Sequence, residues 1–322
     1  MDPSNLVQRD LCPACGSCDF VHSFSDVNRR EGLPHRGTFV RCGGCSTLYL
    51  GAIPAPDALA SAYAASEIDP VDGTAGGEAL EALAARRPTR NGRPMLRALS
   101  RAIRGRPHDW PEEDGAGRRI LDFGCNQATK LAPFLERGWQ VAGIDLNQKA
   151  IERARARLPE GEWHAGPLES APAWEPFDVI RSDNVLEHIP EPLAVLELLR
   201  RRLRPGGRLL LYVPSGKSLS VRLLRGRSQS SWIPFHLQLF SAEGLERLVR
   251  RAGFPSVKIH QFTPLSWWEM TARQAIAAPG FLSRPPSRLE RGAVLAAKAL
   301  APVWLLAAKA GMGEELVADA SA

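Results

Sequence analysis

The sequence predicts an α/β fold, with seven strands in a mostly parallel sheet flanked by helices and a small cysteine-rich module in front. Three observations carry this. From Arg119 onward, short apolar runs alternate with longer segments of helical periodicity, the pattern of βα units feeding a parallel sheet. Two successive apolar runs end on acids, Asp122 and Asp145. Five of the six cysteines lie within the first 45 residues, which separates that stretch from the rest.

The chain has 322 residues, 44% of them hydrophobic, enough for one sizeable core plus an appendage. Residues 1–65 form the cysteine module. Stretches rich in Gly, Asp and Pro at Asp69–Gly77, Arg86–Arg93 and Arg104–Gly117 mark 66–117 as a linker and helical segment. The main domain occupies 118–322.

Within the module, Cys12-Pro-Ala-Cys15 and Cys42-Gly-Gly-Cys45 are two C-x-x-C knuckles around a β-like stretch. Four thiolates close the shell of a tetrahedral zinc ion, so Cys12, Cys15, Cys42 and Cys45 are expected to hold a structural zinc ribbon. Cys18 is read as a spare thiol. The first ten residues lack a basic and then apolar leader, and the expected compartment is the reducing cytoplasm.

In the main domain, Ile120–Phe123 reads as the first strand and Gln127–Arg137 as a helix. Gln140–Ile144 reads as the second strand and Gln148–Leu158 as the next helix. Phe177–Arg181 is a strand, Pro192–Leu203 a helix stopped by Pro205-Gly206-Gly207, and Arg208–Val213 another strand. Ser241 caps a helix through Arg251, Gly253 ends it, and Val257–Phe262 follows as a strand. Residues 265–311 are expected as a largely helical insertion, with Glu314–Ala318 returning to the sheet edge.

The turn after the first strand, Gly124-Cys125-Asn126, precedes a helix, and a glycine there lets a ligand approach the backbone. A dinucleotide would want G-x-G-x-x-G without a carboxylate beside its pyrophosphate. Here Asn126 and Thr129 replace the later glycines and Asp122 stands at the tip of the strand. S-adenosylmethionine carries an ammonium and a sulfonium, so Asp122 favours it. Asp145 can accept both ribose hydroxyls in either cofactor class. Cys125 is read as packing.

From Arg119 to Phe254 the chain resembles the class I, Rossmann-like S-adenosylmethionine-dependent methyltransferases. Leu121-Asp122-Phe123-Gly124-Cys125 resembles their first motif. Phe177-Asp178-Val179-Ile180 with Val185-Leu186-Glu187-His188 resembles the fourth, and Leu203-Arg204-Pro205-Gly206-Gly207 the fifth. The order of cysteine module, linker and core is similar to bacterial methyltransferases of sugar and polysaccharide biosynthesis, a narrower likeness resting on Cys12–Cys45 and on Trp232-Ile233-Pro234-Phe235-His236-Leu237. The resemblance implies that Asp122, Gly124, Cys125, Asn126, Asp145, Leu146, Leu168 and Asp183 surround the cofactor. Residues Gly166-Pro167-Leu168 would border the adenine, with the Leu168 N–H as the contact because Pro167 has none. Asn126 and Ala128 depart from the family's glycines.

A hydroxyl or activated-carbon acceptor is helped by a base, and His188 and His236 are the candidates, each with a structural reading beside the catalytic one. The expected acceptor is a glycan, a nucleotide sugar or a related small molecule. Two alternatives stand beside it: a quinone-like or isoprenoid lipid, and a zinc-ribbon binding protein whose methyltransferase-like domain is inactive. The net charge of +6 reads either as solvated helix faces or as a surface for an anionic partner. No nucleic-acid motif is present, and nucleic acid is not expected as a partner. The apolar run Ala293–Ala310 is interrupted by Lys298, Pro302 and Lys309. It is therefore expected to pack on the core or to touch a membrane peripherally, without spanning it.

Overall fold

In a computed structural model that describes residues 6–28, 30, 35–65, 114–281 and 284–322, the main-domain strands are β6 (Arg119–Phe123), β7 (Gln140–Asp145), β8 (Glu162–Ala165), β9 (Phe177–Asp183), β10 (Leu203–Pro214), β12 (Ser256–Phe262) and β13 (Glu315–Ser321). They form one seven-stranded sheet in the order β12-β13-β10-β9-β6-β7-β8. Its pairs from β10 through β8 are parallel, and β13 runs antiparallel to both its neighbours. All but residues 114–117 of the expected 66–117 segment lie outside the described residues.

The last strand corrects one expectation. It does not close the sheet edge but sits between β12 and β10, with seven Cα partners on each side. Leu316, Val317, Ala318 and Ala320 are all buried. A strand apolar on both faces is at home inside a sheet, where both faces are covered.

Helices α2 (Ala132–Leu135), α3 (Gln148–Arg157), α4 (Pro192–Arg201), α5 (Leu219–Leu224) and α6 (Ala242–Arg251) connect the strands. The helix expected over Gln127–Arg137 shrinks to α2, because Ala128 adopts φ +57° and a left-handed residue cannot continue a right-handed helix. α6 shows how sequence sets packing. Ser241 caps it by accepting from the Gly244 N–H at 2.8 Å, and Leu245, Leu248 and Val249 turn inward. Glu243–Arg247 and Glu246–Arg250 pair along its wet face.

The cysteine module contributes β1 (Leu6–Gln8), β2 (Phe20–Val27), β3 (Arg36–Cys42), β4 (Leu48–Leu50), β5 (Ala52–Pro54) and α1 (Pro56–Ala65). Its main sheet runs β11-β4-β3-β2, and β11 is Gln238–Leu239 of the main domain. Phe24, Phe39, Leu48 and Leu50 share one apolar cluster with Ile233, Phe235, Leu237 and Leu239. Module and loop 232–239 are therefore one packed unit.

Between β12 and β13 stand α7 (Leu265–Ile276), α8 (Arg288–Ala299) and α9 (Ala301–Ala307). Trp268 and Trp304 stack at 3.3 Å and are buried, so Trp268 belongs to packing and not to an outer face. Leu289, Leu295, Leu300, Val303 and Leu306 remain exposed. Among the described residues no single helix is long and apolar enough to cross a membrane. The pair Arg288–Ala299 and Ala301–Met312 matches by length and composition but is bent by 57°.

Candidate active site at the C-terminal edge of the sheet

β6, β7 and β9 are parallel neighbours, so their final acids Asp122, Asp145 and Asp183 gather at one edge. Arg181, in the middle of β9, connects two of them. Its Nη1 donates to Asp122 Oδ2 at 2.9 Å and its Nη2 to Asp183 Oδ2 at 2.8 Å, while Lys130 Nζ reaches the same Asp183 oxygen at 2.6 Å. Arg181 is 1% exposed and lies over the Tyr212 ring. Sequence reasoning missed Arg181; its signal was the one cation of the strand, directly after the apolar pair Val179-Ile180. Two acids thus face two cations, and the charge of Asp122 is already matched. Its other oxygen, Oδ1, is buried and accepts no hydrogen bond. Burial raises the Asp122 carboxyl above its ordinary range, against the lowering pull of Arg181.

Gly124 follows with φ +79°, and a Cβ there would come within 2.2 Å of Val185. Asn126 and Ala128, the two departures from glycine, stand at φ +48° and +57°. The turn that glycines would make is therefore kept, at a backbone cost of about 1–2 kcal/mol for a residue such as alanine. Asp145 Oδ2 accepts from the Asn126 N–H and Oδ1 from the Asn147 N–H, both at 2.9 Å. Each carboxylate oxygen has a second lone pair for a ligand hydroxyl. Burial raises the Asp145 carboxyl, with those amides pulling it back.

Leu146 is 78% exposed beside Asp145, an apolar surface at the mouth of the edge. Leu168 is buried and opens a short 3-10 turn through Ser170. Cys125 is buried against Gly143 with its thiol pushed up by burial, which leaves it a packing group.

The second half of the edge is built from separate segments. A 3-10 turn, Leu186–His188, follows β9, and loop 232–238 folds over it: the Leu237 N–H donates to Glu187 O at 2.8 Å, and Gln238 Nε2 donates to the carbonyls of Leu186 and Ile189. This brings His188 and His236 together with ring centroids 4.8 Å apart. Nδ1 of His188 lies 3.0 Å from Phe235 O, and Nδ1 of His236 lies 2.6 Å from Ser230 O. A carbonyl only accepts, so each Nδ1 carries the proton and each Nε2 offers a lone pair. The Nε2 atoms lie 3.9 and 4.0 Å from Glu187 Oε1. Desolvation lowers His188 to about 4 and His236 well below its ordinary value. Both rings are neutral at pH 7 and poorly matched to general-base work.

Glu187, quoted in sequence only as part of a motif, is completely buried, and neither of its oxygens accepts a hydrogen bond. Burial raises its carboxyl well above the ordinary range, and the buried Glu315 raises it further. Arg30, from the cysteine module, lies over the Trp232 ring at 4.4 Å and donates to Gln229 O.

In the module, Cys12 and Cys45 sulfurs are 3.7 Å apart and those of Cys15 and Cys42 are 3.5 Å apart, with all four within 4.8 Å of one another. Tetrahedral zinc with bonds of ~2.3 Å places its sulfurs ~3.8 Å apart, so the cluster fits that ion. Cys18 is exposed and stands outside the four.

A family model described as a methyltransferase domain matches residues 90–259, more than half of the chain. A ubiquinone biosynthesis O-methyltransferase of Cereibacter sphaeroides is 29% identical over 171 residues, covering 49% of this chain and 69% of that protein. An uncharacterized 37.1 kDa protein in a transposon of Streptomyces fradiae is 38% identical over 112 residues, and the match spans only 33% of this chain and 32% of that protein. A solved S-adenosylmethionine-dependent methyltransferase from Mesorhizobium loti aligns with a TM-score of 0.45 at 18% identity, over 71% of this chain and 96% of that one.

Proposed function

From the premise that this chain belongs to the methyltransferase-domain family, an S-adenosylmethionine-dependent enzyme, we propose that it methylates a hydroxyl oxygen of a glycan, a nucleotide sugar or a related small molecule. The observation that carries the acceptor reading is the polar cluster after β9, where His188 and His236 stand side by side with both Nε2 atoms facing the buried Glu187, a set of groups suited to hold a hydroxylated acceptor in place.

The cofactor-end residues suit the donor. Asp122 Oδ1, buried and without a hydrogen bond, can take its ammonium, Asp145 the two ribose hydroxyls, and Leu146 the flank of the adenine. The donor supplies an electrophilic methyl group on a sulfonium. The chain's own work is alignment and exclusion of water, and orientation alone can contribute ~7–11 kcal/mol in favourable cases. The turns kept at Asn126 and Ala128 weigh against an inactive domain. Cys12, Cys15, Cys42 and Cys45 hold one structural zinc in this reading, and that zinc stiffens the hairpins that support loop 232–239.

A second acceptor reading is an isoprenoid or quinone-like lipid presented at a membrane in the cytoplasm. The exposed Leu289, Leu295, Leu300, Val303 and Leu306 favour it, and the relative named for ubiquinone biosynthesis is consistent with it. The full-length protein incubated with isotope-labelled S-adenosylmethionine and parallel panels of sugar nucleotides, glycans and hydroxylated quinols tests both. Label on a sugar hydroxyl supports the first reading and label on a quinol the second. Tight donor binding with no label on either panel contradicts both acceptor classes.

A further inference from the structure

The fold buries an acid without a hydrogen-bond partner. Glu187 is held in a dry pocket with both carboxylate oxygens lacking hydrogen bonds, and among the described residues no lysine or arginine pairs with it. Leaving a buried acid uncompensated costs on the order of several kcal/mol, which proteins offset by pairing it or by coordinating a cation. The adjacent buried Glu315 adds to the same negative field.

Two imidazoles face Glu187. Each has its Nδ1 tied to a backbone carbonyl, Phe235 O for His188 and Ser230 O for His236. That arrangement orients the ring and fixes the tautomer of a metal-ligating histidine. Each presents Nε2 to the same carboxylate oxygen at 3.9 and 4.0 Å, and one donor atom from each of the three residues lies within 4.8 Å of the others. Bonds of ~2.0–2.2 Å to a shared ion would hold such atoms ~3–4 Å apart, so side-chain shifts below an ångström bring them into range. Arg30, a cation that the cysteine module brings to this end, is engaged with the Trp232 face and Gln229 O.

We propose that Glu187, His188 and His236 form a second metal site in this protein, one that binds a divalent first-row transition ion and leaves coordination positions open to the acceptor's hydroxyl oxygens. Two imidazoles and one carboxylate on a single side of an ion suit Fe²⁺, Mn²⁺, Co²⁺ or Zn²⁺ and leave the opposite side free. The acceptor is then an oxygen-rich molecule, and a vicinal diol or catechol-type pair fills two positions. An ion there lowers the pKa of a coordinated hydroxyl. The O–H bond breaks with its proton passing to water. The oxygen forms its bond to the methyl carbon as the carbon–sulfur bond breaks, and that electron pair returns to sulfur, leaving a neutral thioether. The site itself stands on the three side chains; its role toward the acceptor rests on the methyltransferase reading.

The test uses the full chain with its cysteine site loaded with zinc. Mn²⁺, which prefers oxygen and nitrogen donors over thiolates, is titrated by calorimetry, and Co²⁺ by its absorption. One further equivalent of either ion should bind, with no thiolate-to-cobalt charge-transfer band. Glu187→Gln and His236→Gln should each weaken that equivalent at least tenfold while the zinc content stays at one and the thermal melt remains cooperative. Absence of a second equivalent on the wild-type chain at millimolar Mn²⁺ and Co²⁺ overturns the proposal, and so does equal binding by both variants. S-adenosylmethionine titrated into the same samples separates the two readings. Metal uptake without donor binding keeps the site and refutes the methyltransferase reading; donor binding without metal uptake does the reverse.

Discussion

The two halves of the sheet edge treat the same chemistry in opposite ways. At the cofactor end, buried Asp122 and Asp183 share Arg181 and Lys130, so two acids meet two cations inside a hydrogen-bonded chain. At the acceptor end, Glu187 is as deeply buried and faces two neutral imidazoles. A pocket that completes its own charge balance is rigid before its ligand arrives. One that leaves an acid unmatched keeps a place for an incoming positive group, at some cost to its own stability. The difference assigns pre-organisation to the half that grips the donor and chemical openness to the half that meets the acceptor.

The largest effect expected in testing this contrast comes from the cysteine site. The module supplies three strands to the sheet that β11 completes, and Leu50 N–H donates to Leu237 O next to His236. Structural zinc in small modules is worth ~10–16 kcal/mol of apparent binding energy. Cys42→Ser should therefore abolish zinc retention and disorder loop 232–239, removing methyl transfer while donor affinity changes less than about threefold. Elemental analysis, calorimetry and a labelled-methyl assay on one preparation check this. A variant that keeps full turnover without zinc would show the two ends to be independent of the module.

Next comes a paired substitution. Arg181→Met strands the buried Asp122 carboxylate, leaving Asp183 to Lys130, and should cost ~3–5 kcal/mol in denaturant unfolding. Glu187→Gln, measured without added metal, should hold or raise stability, because it replaces a buried, uncompensated acid that has no hydrogen-bond partner to lose. Similar losses in the two variants would erase the distinction drawn between the ends. The smallest effect is Ala128→Gly. Relief of a left-handed alanine, ~1–2 kcal/mol, is offset by the lost burial of one methyl, ~0.8 kcal/mol, so unfolding should shift by about 1 kcal/mol or less toward stability.

These halves also differ in how far the sequence revealed them. The cofactor end was legible because Asp122, Gly124 and Asp145 sit within one βαβ unit whose strand periods and strand-tip acids are local signals. Arg181 escaped because nothing in Phe177–Asp183 says that a strand-centre cation will be sandwiched between acids from two strands. The acceptor end is assembled from the turn after β9, loop 232–239, β13 and a residue of the cysteine module. Its histidines could be named as candidates, yet their common focus on Glu187 exists only once loop 232–239 is pinned by β4. The pairing of β11 was beyond reach for the same reason: a two-residue strand carries no periodicity. The placement of β13 was misjudged because chain order suggested an edge, whereas its two apolar faces required an interior position.

The account's central claim, that the cofactor end is a pre-organised nucleoside site for S-adenosylmethionine, is tested most directly by calorimetric titration of that donor into the wild-type chain and Asp145→Ala. Two hydroxyl hydrogen bonds to a charged acceptor, each worth ~1.5–3 kcal/mol, should be lost. Saturable one-site binding by the wild type and a loss of at least a hundredfold in the variant are the expected result. Equal affinities in the two proteins, or no binding by either folded chain, would contradict it.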